Sequence, residues 1–339
     1  MNNINLLEKI FEKKDLSATE IQFLLTSCIN SELNESQIAG LLIGLRMKGE
    51  TIEEISGLIQ GMRKQMIAFP AISEAIDTCG TGGDKKGTFN ISTAVAFVVA
   101  GAGISVVKHG NKAASSLCGS ADVLSELGVN IMLTPEQATK VLKKTGIVFL
   151  FAPLYHPAMK QIAPIRKALS TRTVFNFLGP FLNPAQVKRQ LIGVPTVTLA
   201  EKLAQVASQL GYVHVLIVSS DNGMDEIALN DNTKIFEIVG TTVLTRQVNP
   251  QTLGFKKATF AEIRGGSISE NADSIKKILS GKRDAKRDIV ILNSAYALYA
   301  ADRVKSIEQG IVLAQTAIDS GAASRVLHNF IQETQNYAK

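Results

Sequence analysis

The stretch Ile104 to Leu127, ISVVKHGNKAASSLCGSADVLSEL, decides how this chain folds. It opens on a short β-branched run, Ile104 to Val107, of the kind that fills a buried strand. A basic, hydroxyl-rich segment follows. The helical pattern Ala121 to Leu127 then stops at Gly128, where a glycine usually ends a helix. Strand, loop and helix in that order make half of a βαβ unit. The same texture recurs at Ile147 to Phe151, His214 to Ser219 and Lys234 to Val239, with helical patterns between. Thr134-Pro135 reads as a helix start, and Gly146 and Gly211 as helix stops. Strands alternating with helices imply right-handed crossovers and a mainly parallel central sheet.

Upstream of Ala71 the pattern is helical only. Ser17 with Glu20, Asn34 with Gln37 and Thr51 with Glu54 have capping-box spacing. Each opens a segment with one apolar stripe: Ile21, Leu24, Leu25 and Cys28; Ile38, Leu41, Leu42 and Leu45; Ile55, Leu58, Ile59 and Met62. The expected class is α/β. A small all-helical N-terminal domain spans 1–70, with an excursion back to it near 170–185, and a larger α/β domain spans 71–339. A long helical pattern from Ile289 closes the chain, and residues 240–339 read as scaffold.

Composition narrows the function. Of 339 residues, 45% are hydrophobic and 19% charged, a globular balance that excludes a disordered chain. The N-terminus lacks a secretory pattern, and the longest apolar stretch, Thr93 to Val107, is too short and glycine-rich to span a bilayer. Three cysteines without metal-ligand spacing argue against a zinc site or disulfide framework and suit a reducing cytoplasm. The net charge of +6 suits an anionic small substrate. No arginine-rich run or basic–aromatic interleaving points to nucleic acid.

Three segments carry candidate chemistry. In Asp77-Thr-Cys-Gly-Thr-Gly-Gly-Asp84 the glycines let backbone N–H groups approach an anion, although this is neither a Walker loop nor a clean dinucleotide fingerprint. Thr88-Phe-Asn-Ile-Ser-Thr93 then places hydroxyls and an amide at a helix N-terminus, which favours phosphate. Asn90 also suits a plain cap. Lys108-His-Gly-Asn-Lys112, with Ser115, Ser116 and Ser120 beyond, lies where a strand delivers its loop to a ligand. Asp225 and Glu226, in Gly223-Met-Asp-Glu226, suit hydrated Mg²⁺ on a diphosphate. Arg166 suits a carboxylate. Cys79 has no histidine arranged to activate it.

Taken in order, DTCGTGGD, TFNIST, KHGN, GSADVLSELG, FAP–HPA–APIRK, RTVFNFLGP-LNPA and GMDE resemble the anthranilate phosphoribosyltransferase family from Asp77 to Glu226. The resemblance implies transfer of the phosphoribosyl group of 5-phosphoribosyl 1-diphosphate to the amino nitrogen of anthranilate, in tryptophan biosynthesis. It implies a homodimer, with the active site between a helical and an α/β domain. It assigns phosphoribosyl diphosphate to Gly80, Gly83, Asp84, Thr88, Asn90, Ile91, Ser92 and Thr93. The same ligand extends over Lys108, His109, Gly110, Asn111, Lys112, Ala113, Ala114, Ser115 and Ser116, and on to Ser120. It assigns Mg²⁺, as two ions, to Ser92, Asp225 and Glu226, and anthranilate to Gly80, Asn111 and Arg166. The late proton could pass to solvent or to His109.

The signatures of a pyrimidine-nucleoside phosphorylase, Lys-His-Ser-Thr-Gly-Gly and Lys-Met-Ser-Gly-Arg, are missing. So is the Asp-Asp pair of a Rossmann-like phosphoribosyltransferase. A nucleic-acid-binding relative without activity would have little use for Asp84, Ser92, Asp225 and Glu226 together. Two departures stand out: Lys112 replaces the family's usual arginine, and Leu117-Cys118 stands where Lys-Ser is common. Losing the family's lysine at position 117 removes a positive charge beside the diphosphate loop. Leu117→Lys is therefore expected to lower KM for the diphosphate substrate; an unchanged or higher KM in steady-state assays refutes this.

Overall fold

The computed structural model describes every residue except 71, 73, 114–116 and 339. In chain order the helical elements begin with α1 (Asn3–Phe11), α2 (Ala18–Ile29), α3 (Glu35–Lys48) and α4 (Ile52–Gln65). Then come β1 (Ile76–Gly80), α5 (Ile91–Gly101), β2 (Val106–Gly110), α6 (Ser120–Glu126), α7 (Pro135–Thr145) and β3 (Ile147–Phe151). They are followed by α8 (Ala152–Tyr155), α9 (Met159–Leu169), β4 (Arg189–Gly193), α10 (Val197–Ser208), β5 (His214–Ser220), β6 (Thr233–Val239) and β7 (Thr242–Val248). Helices α11 (Ile268–Leu279), α12 (Ala285–Ala300), α13 (Ile307–Asp319) and α14 (Ala322–Gln335) end the chain. Two compact units result: Met1–Ala68 with Pro153–Pro184, and Phe69–Ala152 with Ala185–Lys339.

In the helical unit, Ser17, Asn34 and Thr51 each form both reciprocal bonds of a capping box. All twelve stripe residues read from the sequence are buried. Helices α2 and α4 cross closely because α4 carries Gly57, where a Cβ would lie 2.5 Å from Ile21 Cγ2 and 2.9 Å from the Ala18 carbonyl oxygen. Glu54 serves twice: it caps α4 and, fully buried, takes the Lys48 ammonium at 2.9 Å and the Leu16 N–H at 2.9 Å. A charge at that depth is stable only with its partners in place. Helix α1, capped by Asn2, escapes the sequence patterns above because it is short. The excursion begins at Pro153 rather than near residue 170. Its Ile162, Val174 and Phe175 line a small apolar cavity with Leu25, Leu41 and Leu45. The Ile67 N–H donates to the Tyr155 carbonyl at 2.8 Å, and Arg63 Nε donates to the Phe181 carbonyl at 2.9 Å.

In the α/β unit one seven-stranded sheet runs β3-β2-β1-β4-β5-β6-β7. Its first five strands in that order are parallel, and the pairs β5–β6 and β6–β7 are antiparallel. Strands β4 and β7 are additions to the sequence reading. The pattern read as one long helix after Ile289 is instead three, with α12 already begun at Ala285. Helix α5 is apolar all round, with Thr93 to Ala100 buried, as a helix inside a core must be. A Cβ on its last residue, Gly101, would lie 2.7 Å from the Ala323 nitrogen of α14. Among the described residues no helix is long and apolar enough to cross a membrane.

His156, in the helical unit, is 6% exposed, and burial pushes its imidazole down to about 4 against an opposing bond to the Leu182 backbone. A depressed histidine contributes stability that is present above its unfolded value, near 6.5, and lost as pH falls toward the folded one. Acidification from pH ~6.5 to ~5 should cost about 1.5 kcal/mol through this residue. Urea unfolding of the wild type and His156→Gln at both pH values checks it; equal acid losses in the two proteins rule the histidine out.

Candidate active site

The strand order reverses between β1 and β4. Chain from β1 proceeds outward to β2 and β3, while β4 proceeds the other way to β5. The carboxyl ends flanking such a switch point form the crevice in which open α/β sheets bind ligands. Here both ends are glycines in register, Gly80 beside Gly193. Their missing side chains make room for one residue. A Cβ on Gly193 would overlap the Asp225 carbonyl oxygen, and one on Gly80 would lie 2.5 Å from Asp225 Oδ2.

The loop bearing Asp225 and Glu226 is held from below. Ser220 Oγ donates to the Glu226 carbonyl at 2.6 Å and accepts the Ala228 N–H at 3.2 Å. Asn293, fully buried on α12, accepts the Ile227 N–H and donates to its carbonyl, both at 2.9 Å. Asp225 Oδ2 in turn accepts the Gly82 N–H at 2.9 Å, which ties this loop to the glycine-rich one. Gly82, Gly83 and Gly87 take φ of +69°, +79° and +66°, values that only glycine adopts without cost.

Three carboxylates crowd together here. Burial, and then the charge of Asp84, push Asp225 up to about 7; burial and then Asp225 push Glu226 well above the usual range. Asp84 Oδ1 accepts the Lys86 N–H at 3.1 Å, while its buried Oδ2 has no hydrogen-bond partner among the described residues. Among the same residues, Asn90 Oδ1 and Thr81 Oγ1 are likewise buried without a partner. Among the described residues no set of three His, Cys, Asp or Glu groups is arranged to enclose a metal by itself. That donor set suits Mg²⁺, which keeps several waters and takes the rest of its shell from one or two carboxylates and from phosphate.

Ser92 joins this group. It lies in the first turn of α5, its backbone N–H bonds Glu226, and its carbonyl accepts Thr78 Oγ1 at 3.0 Å. Lys108 is not in a loop, as the sequence suggests, but within β2. It is 3% exposed, and its ammonium bonds the Thr78 carbonyl and approaches Ser92 Oγ at 3.4 Å. His109 and Gly110 complete the same strand, and His109 is 8% exposed. A polar residue buried in a strand gives no periodic signal, which is why the sequence ends the strand too early.

Asn90 precedes α5 without capping it; its Nδ2 instead donates to the Cys118 carbonyl at 3.1 Å. Thr88 forms an isolated antiparallel bridge with Arg264, and Ile91 is buried beneath. Asp122 Oδ2 accepts the N–H groups of Ala113 and Gly119, each at 2.9 Å. Asn111 accepts the Ser120 hydroxyl at 3.4 Å through its carbonyl, and Lys112 is exposed. Ala114, Ser115 and Ser116 lie outside the described residues. Leu117 is 81% exposed. Arg166 stands on α9 of the helical unit, half-buried, its guanidinium 5.6 Å from the centre of the Phe175 ring. Gly193, Asn293 and Asp122 went unremarked in the sequence. A short apolar run ending in glycine, Leu191-Ile-Gly193, was the available signal for the first.

Known proteins share this architecture. Residues 73–324 match the glycosyl transferase family a/b domain, and residues 4–66 match the helical bundle domain of that family. The anthranilate phosphoribosyltransferase of Symbiobacterium thermophilum is 45% identical over 333 residues, 97% of each chain. The crystal structure of the enzyme of that name from Thermus thermophilus has a TM-score of 0.91 at 33% identity, covering 97% of this chain and 99% of that one. The Saccharomyces cerevisiae enzyme, in complex with PRPP and Mg, has a TM-score of 0.91 at 27% identity, covering 98% of both chains. The chain belongs to the anthranilate phosphoribosyltransferase family, built from the glycosyl transferase helical bundle and a/b domains.

Proposed function

We propose that the carboxyl ends of β1 and β4 form the Mg²⁺–phosphoribosyl diphosphate site of this enzyme. The reaction is that of the family: the phosphoribosyl group passes from 5-phosphoribosyl 1-diphosphate to anthranilate, giving N-(5-phosphoribosyl)anthranilate and diphosphate, in tryptophan biosynthesis. The observation that carries the site is the crowding of Asp84, Asp225 and Glu226 at the switch point, with Asp84 Oδ2 buried and unpartnered among the described residues. The binding of PRPP and Mg by the yeast relative supports the same ligands here.

Ser92, Asp225 and Glu226 would hold two Mg²⁺ ions. When bound, Mg²⁺ supplies charge stabilisation for the departing diphosphate. The positive end of the α5 dipole, at Ile91 and Ser92, would favour the diphosphate's negative charge there. Lys108, buried against Ser92, fixes that hydroxyl and adds a full positive charge behind it. The anthranilate amine is neutral near pH 7 and attacks without prior deprotonation. His109 is the candidate acceptor of its late proton. Gly80, Asn111 and Arg166 are assigned to anthranilate, with the guanidinium matching its carboxylate.

Neither a nucleoside phosphorylase nor a nucleic-acid-binding role accounts for the carboxylate crowding. The expected compartment is the cytoplasm, and the expected assembly is a homodimer. Ile4, Phe11 and Met47, which are 60%, 52% and 73% exposed on α1 and α3, offer an apolar face to a second copy. Sedimentation velocity should show a dimer that Phe11→Glu dissociates; a monomeric wild type rejects this assembly.

The activity test mixes the protein with Mg²⁺, phosphoribosyl diphosphate and anthranilate and follows loss of anthranilate fluorescence. Asp225→Asn should slow turnover by about 100-fold or more. Relief of like-charge crowding should leave its melting temperature equal or higher. Wild-type turnover in Asp225→Asn removes that carboxylate from the metal site.

A further inference from the structure

Residues from the C-terminal part of the chain bear on both proposed phosphate-facing segments. Gly265 N–H donates to the Gly87 carbonyl at 2.8 Å, and Phe89 N–H donates to the Ile263 carbonyl at 3.4 Å. The Thr88–Arg264 bridge lies between those two bonds. Lys86 Nζ sits 5.4 Å from the centre of the Phe260 ring. Residues 259–266 thus strap the glycine-loop side of the site from Lys86 to Phe89. One end of the strap is a turn closed by Glu262, which accepts the Thr259 N–H at 2.7 Å and its hydroxyl at 2.8 Å.

The other end is held by one side chain. Asn271, on α11 and 3% exposed, accepts the Gly266 N–H through Oδ1 at 3.0 Å, and its Nδ2 lies 3.5 Å from the Gly266 carbonyl. The same amide faces the Cys118 thiol and offsets part of the upward push of burial on it, and the Cys118 carbonyl takes Asn90 Nδ2 at 3.1 Å. Asn271 therefore reaches segment 87–90 through the strap and segment 111–119 through Cys118. The fit leaves no slack. A Cβ on Gly265 would lie 2.7 Å from the Thr88 carbonyl oxygen and 2.9 Å from both Phe89 N and Asn271 Oδ1.

We propose that Asn271 is a positioning residue for phosphoribosyl diphosphate, fixing the spacing of the two segments that receive it. A buried side-chain amide suits this task. It offers donor and acceptor from one rigid plane, and a partner left unpaired at that depth is costly. The inference rests on the diphosphate reading of segments 87–93 and 111–120. It gives a function to a stretch that the sequence alone marks as scaffold. Among the described residues, the direct bonds of Asn271 and of residues 263–265 go to Gly266 and to 87–89, and not to Gly80, Asn111 or Arg166, so the diphosphate side should feel its loss first.

The test measures phosphoribosyl diphosphate binding with Mg²⁺ by titration calorimetry, and both KM values and kcat, for Asn271→Ala and Gly265→Ala. Each variant should weaken diphosphate-substrate binding about tenfold, equivalent to ~1.4 kcal/mol. The KM for anthranilate should stay within about twofold, a split that general destabilisation would not give. Gly265→Ala perturbs Thr88 and Phe89 without opening a cavity, so it carries the test if Asn271→Ala folds poorly. Wild-type affinity in the folded variants, or an equal rise in both KM values, overturns the proposal. Asp225→Asn and Thr88→Ala serve as references. If these weaken binding and the strap variants do not, the positioning role alone fails; if none does, the diphosphate reading fails with it.

Discussion

The site depends on one close approach: the backbone of Asp225 lying over the paired glycines that end β1 and β4. Two adjacent parallel strands that diverge to opposite sides leave a gap at their carboxyl ends. In this chain that gap admits a loop only because neither strand ends in a side chain. Everything acidic in the site follows from it. Asp225 is pressed onto the Gly82 N–H, Glu226 is brought to Ser92, and Asp84 faces both with one oxygen unsatisfied. Three carboxyl groups held in that way favour protons or a cation, and Lys108 offsets part of that charge at Glu226.

Rigidity is supplied from outside the motifs. Asn293 brackets Ile227 from α12, Asp122 gathers two N–H groups of segment 111–119, and Asn271 reaches both walls from α11. Each uses an amide or carboxylate, buried in Asn271 and Asn293 and half-buried in Asp122, to fix backbone. Such bonds add modestly to stability, but each costs much more when broken, so they specify one geometry sharply. The C-terminal helices, apolar enough to pack against α5, are thereby also the frame of the loops beyond β1 and β5.

Local rules exposed part of this in the sequence. The capping boxes and stripes of α2, α3 and α4 are complete there, because helix periodicity and end signals are local. The glycine loop, Ser92 and the Asp225–Glu226 pair were legible as types suited to diphosphate, and their order suggested the family. Strand β2 was cut short at Val107 because Lys108, His109 and Gly110 do not look like strand, although tertiary bonds hold them in one. Strand β4 was overlooked since Arg189 to Gly193 is five residues with a charge at its start. Asn271 and Asn293 could not be found at all: an asparagine in a helical pattern looks exposed until the distant backbone it serves is known.

The helical unit is built from two separated pieces of chain, and that bears on how it comes to be folded. Ile162, Val174 and Phe175 line the same apolar cavity as Leu25, Leu41 and Leu45, yet they are made only after all of β1, β2 and β3. During synthesis from the N-terminus, α2 to α4 therefore present an incomplete apolar surface while residues 69–152 emerge. Domains tend to fold as they leave the ribosome, and exposed apolar surface is where nascent chains are lost to aggregation. The three capping boxes meet this need: they stabilise each helix by contacts within four residues, before any partner has arrived.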